Sequence, residues 1–378
     1  MELEFTADQD ELRDGVRAML VRECPPAFVR SVVEEGTSAD ALWKQMCELG
    51  WPALTIAEEL GGLGLGMVEL AVVVEELGRV LAPGPFVPTV TQFAPVVHAV
   101  GTDEQRARFL GPVAEGRLTG ALALTEGAGR IDLATVSATA TRSGGGWQLA
   151  GRKTGVLGAD LADEVVVVAR LDGTSDAGAV GAFVVPVADV DVAPVAAIDA
   201  TRGIAVLTLD GATVDDDRML GEPGDTTEVA LAHALDESIV CLALEAVGTC
   251  QAIFDMTLEY AKHREQFGVP IGSFQAIKHK LADMFVMLER ARATGYFAAL
   301  AIAEHDPRHA EAAATAKIAA GQCQRLLAKE GIQIHGGIGY TWEHDMHLHV
   351  RRVKTDAQLL GTEAEHQARL AALLLDPS

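Results

Sequence analysis

Aromatic side chains are scarce, 5% of 378 residues, so any core must be built mainly from aliphatic packing. Cysteine is scarcer. The five residues Cys24, Cys47, Cys241, Cys250 and Cys323 are scattered without CxxC spacing, which argues against a disulfide framework or zinc ribbon and suits a reduced compartment. Basic residues are outnumbered, thirty against fifty-four acidic, giving a formal net charge of −24. A duplex or membrane-surface binder needs a basic face, so nucleic acid and membrane are not expected partners. The opening Met1-Glu-Leu-Glu-Phe5 is acidic where a signal peptide is basic, and no uncharged run approaches the length of a membrane span. The expected location is cytoplasmic. Any anionic ligand would need a local basic pocket inside this negative field.

What is abundant is apolar aliphatic sequence, 49% hydrophobic overall, in a chain long enough for two or three domains. Residues 1–118 read as helical. Thr6 and Gln9 form a capping box, Ser38 can cap a helix carrying Leu42, Met46 and Leu49, and Thr102-Asp-Glu-Gln105 opens another. Between them, Leu60-Gly-Gly-Leu-Gly-Leu-Gly66 interrupts the periodicity before Met67–Val80 resumes it. Residues 119–224 change texture. β-branched runs at Thr135–Thr141, Val165–Ala169, Ala182–Val187 and Ile204–Leu209 alternate with Gly and Asp turns, predicting a compact antiparallel β domain with a hairpin at Ser143–Gly146. Residues 225–378 are helical again. Phe274, Ile277, Leu281, Phe285 and Leu288 mark one long helix capped by Ser273, flanked by His233–His263 and Ala310–Lys329 in an antiparallel bundle.

Two segments carry candidate chemistry. Tyr260–Met284 reads as a helix end, a tight Gly268/Pro270 turn and a new helix N-terminus, where Arg264 and free backbone N–H groups can face an anion. Its alternative is a capped helix–helix turn with solvated charges. Gln333-Ile-His-Gly-Gly-Ile-Gly-Tyr340 places three glycines after a helix, allowing close approach of a ligand to backbone.

Together with Glu58-Glu-Leu-Gly-Gly-Leu-Gly64, Gly101-Thr-Asp-Glu-Gln105 and the Arg202–Gly221 stretch, these segments resemble the flavin-dependent acyl-CoA dehydrogenases over nearly the whole chain. The resemblance implies an N-terminal helical domain, a central antiparallel β domain and a C-terminal four-helix bundle. It further implies FAD as cofactor, an acyl-CoA thioester as substrate of α,β-dehydrogenation, and a tetramer in which each flavin is completed by a neighbour. Arg264, Phe267, Gln333 and Gly337 match the residues that reach across to the neighbour's flavin, and Thr362 matches one that helps hold the pyrophosphate.

The chain departs from the family where the chemistry needs a carboxylate base. Most relatives carry that base in a Tyr-Glu-Gly-Thr element, and here Leu359-Leu-Gly-Thr362 puts Leu360 at its position. The alternative position in the family is Ser238, followed by Ile239 where arginine is usual. In Thr125–Asp132, Gly127 replaces a proline and Ile131 a serine. In Lys153–Gly158, Gly155 and Leu157 stand where an aromatic residue and a threonine usually face the isoalloxazine ring. The pattern implies a base-deficient subunit that completes the FAD site of a homologous catalytic partner in a heterotetramer. Two alternatives stay open: a self-sufficient homotetramer with Glu237 or Glu245 as displaced base, and a structural or CoA-binding member. Asp236 and Glu237 face away from the Ser238 side, while Glu245 lies two turns along nearly the same face. Arg351, Arg352 and Lys354 read equally as a solvated face or pairs with the many carboxylates, or as help with an anionic cofactor or subunit contact. His344, His347 and His349 read as structural, and no metal is expected.

Overall fold

The computed structural model describes residues 4–127, 131–172, 179–222 and 224–375. Ala128–Arg130, inside the Thr125–Asp132 motif, lie outside the described residues.

The N-terminal helices form where their caps predict. Thr6 Oγ1 accepts from Gln9 N at 3.2 Å and Gln9 Oε1 from Thr6 N at 3.0 Å, starting α1 (Ala7–Glu23). Helices α2 (Pro26–Glu35), α3 (Asp40–Glu48) and α4 (Met67–Arg79) follow. Ser38 is not the cap of α3; its Oγ accepts from Asp40 N, and Ala39 holds the N-cap position. Helices α5 (Phe86–Pro88) and α6 (Ala94–Val100) are joined by a π turn, and a second capping box at Thr102/Gln105 starts α7 (Asp103–Ala114).

The middle of the chain forms two sheets. Strands β1 (Gly120–Ala123), β2 (Thr139–Ser143), β3 (Gly146–Ala150), β5 (Glu164–Asp172), β6 (Val180–Pro186), β9 (Ala212–Asp215) and β10 (Met219–Leu220) make seven strands in one. Strands β4 (Arg152–Leu157), β7 (Asp191–Pro194) and β8 (Ile204–Thr208) make the other. Their facing sides bury one core, including Trp147, Phe183, Leu149 and Leu207. The β2–β3 hairpin turns at Gly144-Gly145 as expected. Pairing is mostly antiparallel, with a correction. Both β1 and β2 run parallel to β5, β1 along Glu164–Val167 and β2 along Arg170–Asp172. The nine-residue β5 is long enough for two short strands to share one of its edges.

The C-terminal part is built on α8 (Asp225–His263), α9 (Gln275–Ala303) and α10 (His309–His335). Between α8 and α9 lies a small hairpin, β11 (Glu265–Gln266) and β12 (Val269–Pro270); α11 (Met346–Asp356) and α12 (Glu363–Leu375) pack on the outside. Ser273 does not cap α9, because its hydroxyl donates to Pro270 O and Phe274 takes the N-cap position. The buried stripe of α9 runs Leu281, Met284, Leu288 and Ala291, leaving Phe274 and Phe285 largely exposed. Helix α8 is long and apolar enough to cross a membrane by composition alone, but 83% of that window is buried by its neighbours. It meets α4 backbone to backbone through Gly78 and Gly248, with Thr249 Oγ1 donating to Gly78 O at 2.9 Å.

Candidate functional site

The two motif segments come together at one end of the bundle. Tyr260, one turn before Arg264, stacks on His335 at 4.5 Å, two residues after Gln333. Arg264 and Phe267 project from the β11–β12 hairpin into solvent, with Phe267 94% exposed. The turn residues Phe267 and Gly268 have φ of +55° and +78°, the mirror-image hairpin turn that normally selects Asn-Gly. A phenylalanine held in the left-handed region at full exposure is costly in isolation and points to a role outside this chain. Neither the Arg264 guanidinium nor the Gln333 amide has a side-chain partner among the described residues. Gln333, Gly336, Gly337, Tyr340 and Lys354 line an open depression of about 500 Å3.

A separate cleft of about 400 Å3 lies between the β domain and the end of α11, where a flavin ring of this chain's own would sit by the resemblance. Its described lining is Leu122, Leu124, Leu157, Ile204, Leu359 and Leu360 with small residues and a few neutral polar groups; Lys354 is its one charged residue and no carboxylate is present. Leu360 has φ +51° and is buried, its turn held from below by two donors. Lys317 Nζ donates to Leu359 O at 2.8 Å and to Asp356 O at 2.7 Å, and His366 Nε2 donates to Leu360 O at 2.8 Å.

Two polar groups of the segments matched to the flavin site are engaged within the chain. The Thr125 hydroxyl donates to Thr154 O. Thr362 is not free for a pyrophosphate: its hydroxyl and its amide both donate to Glu365 Oε2, at 2.9 and 2.7 Å, as the capping box of α12. In the outward-facing set, Arg264, Gln333 and Gly337 are exposed, and Phe267 meets the Phe274 ring edge-on at 6.1 Å.

The displaced-base candidates do not reach the cleft. Ser238 is fully buried and donates back to Ala234 O at 2.9 Å. Glu237 lies on the far face of α8, 4.0 Å from His233, and burial beside the Asp236 carboxylate pushes its carboxyl up to about 7. Glu245 is neither solvated nor available. Its carboxylate, 1% exposed, sits between Arg202 Nη2 at 2.5 Å and Arg352 Nη1 at 2.9 Å. Arg352 Nε also binds Asp199 at 2.8 Å, and Arg202 Nη2 binds Asp356 at 2.8 Å. This buried lattice joins the β-domain turn at 199–202 to α8 and α11. For Arg352, it realises the carboxylate-pairing reading of the Arg351, Arg352 and Lys354 cluster. Arg352 is structural, Arg351 lies over the Trp342 ring at 4.9 Å, and of the three only Lys354 is exposed without a partner among the described residues. The three histidines are also separate: His344 Nδ1 accepts from Met346 N, His347 stacks on Trp342, and His349 bonds to backbone carbonyls. Among the described residues no group of three His, Cys, Asp or Glu is placed to hold a metal ion.

Sequence reasoning missed Lys317 and Asp199. The signal for Lys317 was faint, a lone lysine amid Ala312, Ala313, Ala314, Ala316, Ala319 and Ala320 on a face those alanines bury.

Comparison with known proteins covers the chain end to end. Sequence models of the N-terminal, middle and C-terminal domains of acyl-CoA dehydrogenases match residues 6–117, 121–213 and 227–375. The chain is 34% identical to acyl-CoA dehydrogenase IpdE2 of Mycobacterium tuberculosis over 365 residues, 96% of each. It superposes on butyryl-CoA dehydrogenase from Megasphaera elsdenii with a TM-score of 0.91 at 27% identity, covering all of both chains. A chain of the ChsE4-ChsE5 complex from Mycobacterium tuberculosis gives 0.88 at 27% identity, covering 100% of this chain and 99% of that one.

Proposed function

This chain belongs to the acyl-CoA dehydrogenase family, whose members use FAD, and from that premise we propose that it is the base-deficient subunit of a heteromeric dehydrogenase. The observation that carries the reading is the cleft without a carboxylate: Leu360 stands at the base position, and Glu245 is locked between two arginines. FAD, when bound, supplies the hydride acceptor for α,β-dehydrogenation of an acyl-CoA. This chain's part is to bind and orient that cofactor in a partner subunit. Arg264 would meet its anionic diphosphate with a forked set of donors, and Phe267, Gln333 and Gly337 would help hold it. The apolar Leu359–Leu360 turn lines the chain's own cleft, where neither side chain can accept the α-proton. The two-component ChsE4-ChsE5 complex is a precedent for such pairing among similar proteins.

The test is to purify the full chain alone and then co-expressed with a homologous subunit that keeps the glutamate. Alone, it should hold well under one flavin per chain and leave that flavin oxidised on addition of acyl-CoA. The complex should hold about one flavin per pair, and Arg264→Ala in this chain should strip it. Stoichiometric flavin with acyl-CoA turnover in the chain alone would refute the reading.

A further inference from the structure

The cleft of about 400 Å3 between the β domain and the end of α11 is largely aliphatic, yet two buried polar side chains line it with nothing to bind. Gln92 comes from the π turn Thr89–Phe93 that joins α5 to α6, and it is 4% exposed. Turns of this kind recur at functional sites. Thr355 comes from the last turn of α11 and is 8% exposed. Neither the Gln92 amide nor the Thr355 hydroxyl makes a hydrogen bond among the described residues. The two threonines of the π turn, by contrast, are both engaged. Thr89 Oγ1 donates to Gly120 O at 3.2 Å and Thr91 Oγ1 to Val87 O at 2.6 Å.

Buried polar groups are normally hydrogen-bonded, because an unmade bond costs the full desolvation of the group. Two left unmade at one cleft point to a partner from outside the chain. Both groups are uncharged, and the one charged residue in the described lining, Lys354, is exposed. An ion held against the aliphatic walls would lose its hydration without a buried counter-charge. A carbonyl oxygen would instead accept from the Gln92 amide or the Thr355 hydroxyl. The glycines of the cleft leave room for such a guest. A Cβ at Gly127 would meet no atom within 4 Å, and one at Gly155 would meet only the Thr125 hydroxyl, at 3.6 Å.

We propose that this cleft holds a neutral, largely hydrophobic molecule carrying a carbonyl oxygen, with Gln92 and Thr355 as its hydrogen-bond partners. The guest is a bound ligand and not a compound dehydrogenated here, since Leu360 offers it no base. The proposal rests on unpaired groups of this chain alone and goes beyond the subunit reading, which concerns a flavin held elsewhere. Either can fail without the other.

The experiment uses prodan, an uncharged aromatic ketone whose emission moves to the blue on leaving water. Titrated into the full-length chain, it should saturate a single site with blue-shifted emission, whatever flavin the preparation carries. The bicyclic ketone 2-decalone should displace it about threefold to tenfold better than decalin, the same skeleton without the oxygen, as expected for a neutral hydrogen bond. Gln92→Leu and Thr355→Val should each narrow that preference and together erase it. Leu359→Trp, which puts a larger side chain into the cleft, should abolish prodan binding. Because both polar groups are unpaired within the chain, Gln92→Leu and Thr355→Val should melt at or above the wild-type temperature, which separates lost recognition from lost structure. A marked fall in melting temperature would mean that the group is already in use and would overturn the proposal. So would the absence of saturable prodan binding, binding untouched by Leu359→Trp, or a ketone preference that survives both polar substitutions. Stoichiometric flavin with turnover would refute the subunit reading and leave this one standing as long as prodan still binds.

Discussion

Replacing Glu245 by glutamine separates a structural counter-ion from a displaced catalytic base. The side chain keeps its shape and loses its charge, so the two guanidinium groups now at 2.5 and 2.9 Å face a neutral amide. One of them must then meet an N–H2 group, donor against donor, at 1% exposure. Removing one partner from a buried ion pair costs about 3–5 kcal/mol, because the remaining charge stays buried without compensation. At about 2–4 °C per kcal/mol for a domain of this size, the melting temperature should fall by roughly 6–20 °C. Hydrogen exchange should quicken at 199–203 and at 355–360, the two segments tied through Arg202 and Arg352. Glu237→Gln is the control with opposite expectation. Its carboxyl is held at about 7 by burial and by Asp236, so removing the charge above that pH should leave stability unchanged or slightly raised. Calorimetry on both variants decides the matter. A Glu245→Gln protein that melts within about 1 °C of wild type but no longer reduces flavin with substrate would refute the structural assignment.

The hairpin turn predicts a trade between stability and function: Phe267→Asn relieves the positive φ and should stabilise the chain by about 1 kcal/mol. The same change should lower flavin retention in the complex with a catalytic partner, read from the absorbance ratio of the purified complex. Gly337 and Gly248 should behave oppositely on substitution by alanine. A Cβ at Gly337 meets nothing within 4 Å, so that variant should keep its melting temperature while weakening the complex's flavin site. A Cβ at Gly248 would lie 1.8 Å from Glu75 O, so that variant should lose about 3 kcal/mol or more, or fail to express. His366 gives a pH prediction. Its Nε2 proton is used on Leu360 O and its Nδ1 is buried without an acceptor, so burial holds the imidazole at about 4, below its ordinary 6.5. Folding therefore gains its full contribution above about pH 6.5 and loses it as pH falls toward 4, roughly 3 kcal/mol in all. Urea unfolding across that range should show the slope in wild type and a flatter profile in His366→Gln.

Some of this molecule was legible in the sequence because the information is local. The Thr6/Gln9 and Thr102/Gln105 boxes are spaced within one helical turn, and both helices begin where those residues place them. The Gly144-Gly145 hairpin and the long helices of the bundle are likewise written in short-range pattern. So is the apolar character of Leu360, which cannot take a proton wherever it lies. Ser38 and Ser273 misled for an equally local reason. A serine near a helix start can bond its hydroxyl elsewhere, and Ser273 donates to Pro270 O, which removes it from the cap.

What the sequence could not hold was the fate of its charges. Arg352 and Lys354 stand two residues apart with similar local context, yet one is buried against Asp199 and Glu245 while the other faces an open cleft without a partner among the described residues. Two positions on a helix differ by about 200° of rotation, and only the packing of α11 against α8 and the 199–202 turn decides which side is interior. Glu245 met its arginines from 43 and 107 residues away, separations at which no local pattern operates. The basic pocket that an acidic chain would need for an anion was likewise absent from any stretch of sequence. It exists because two helices, α10 and α11, bring Lys317, Arg325 and Lys354 to one cleft, where tertiary contact alone sets the field.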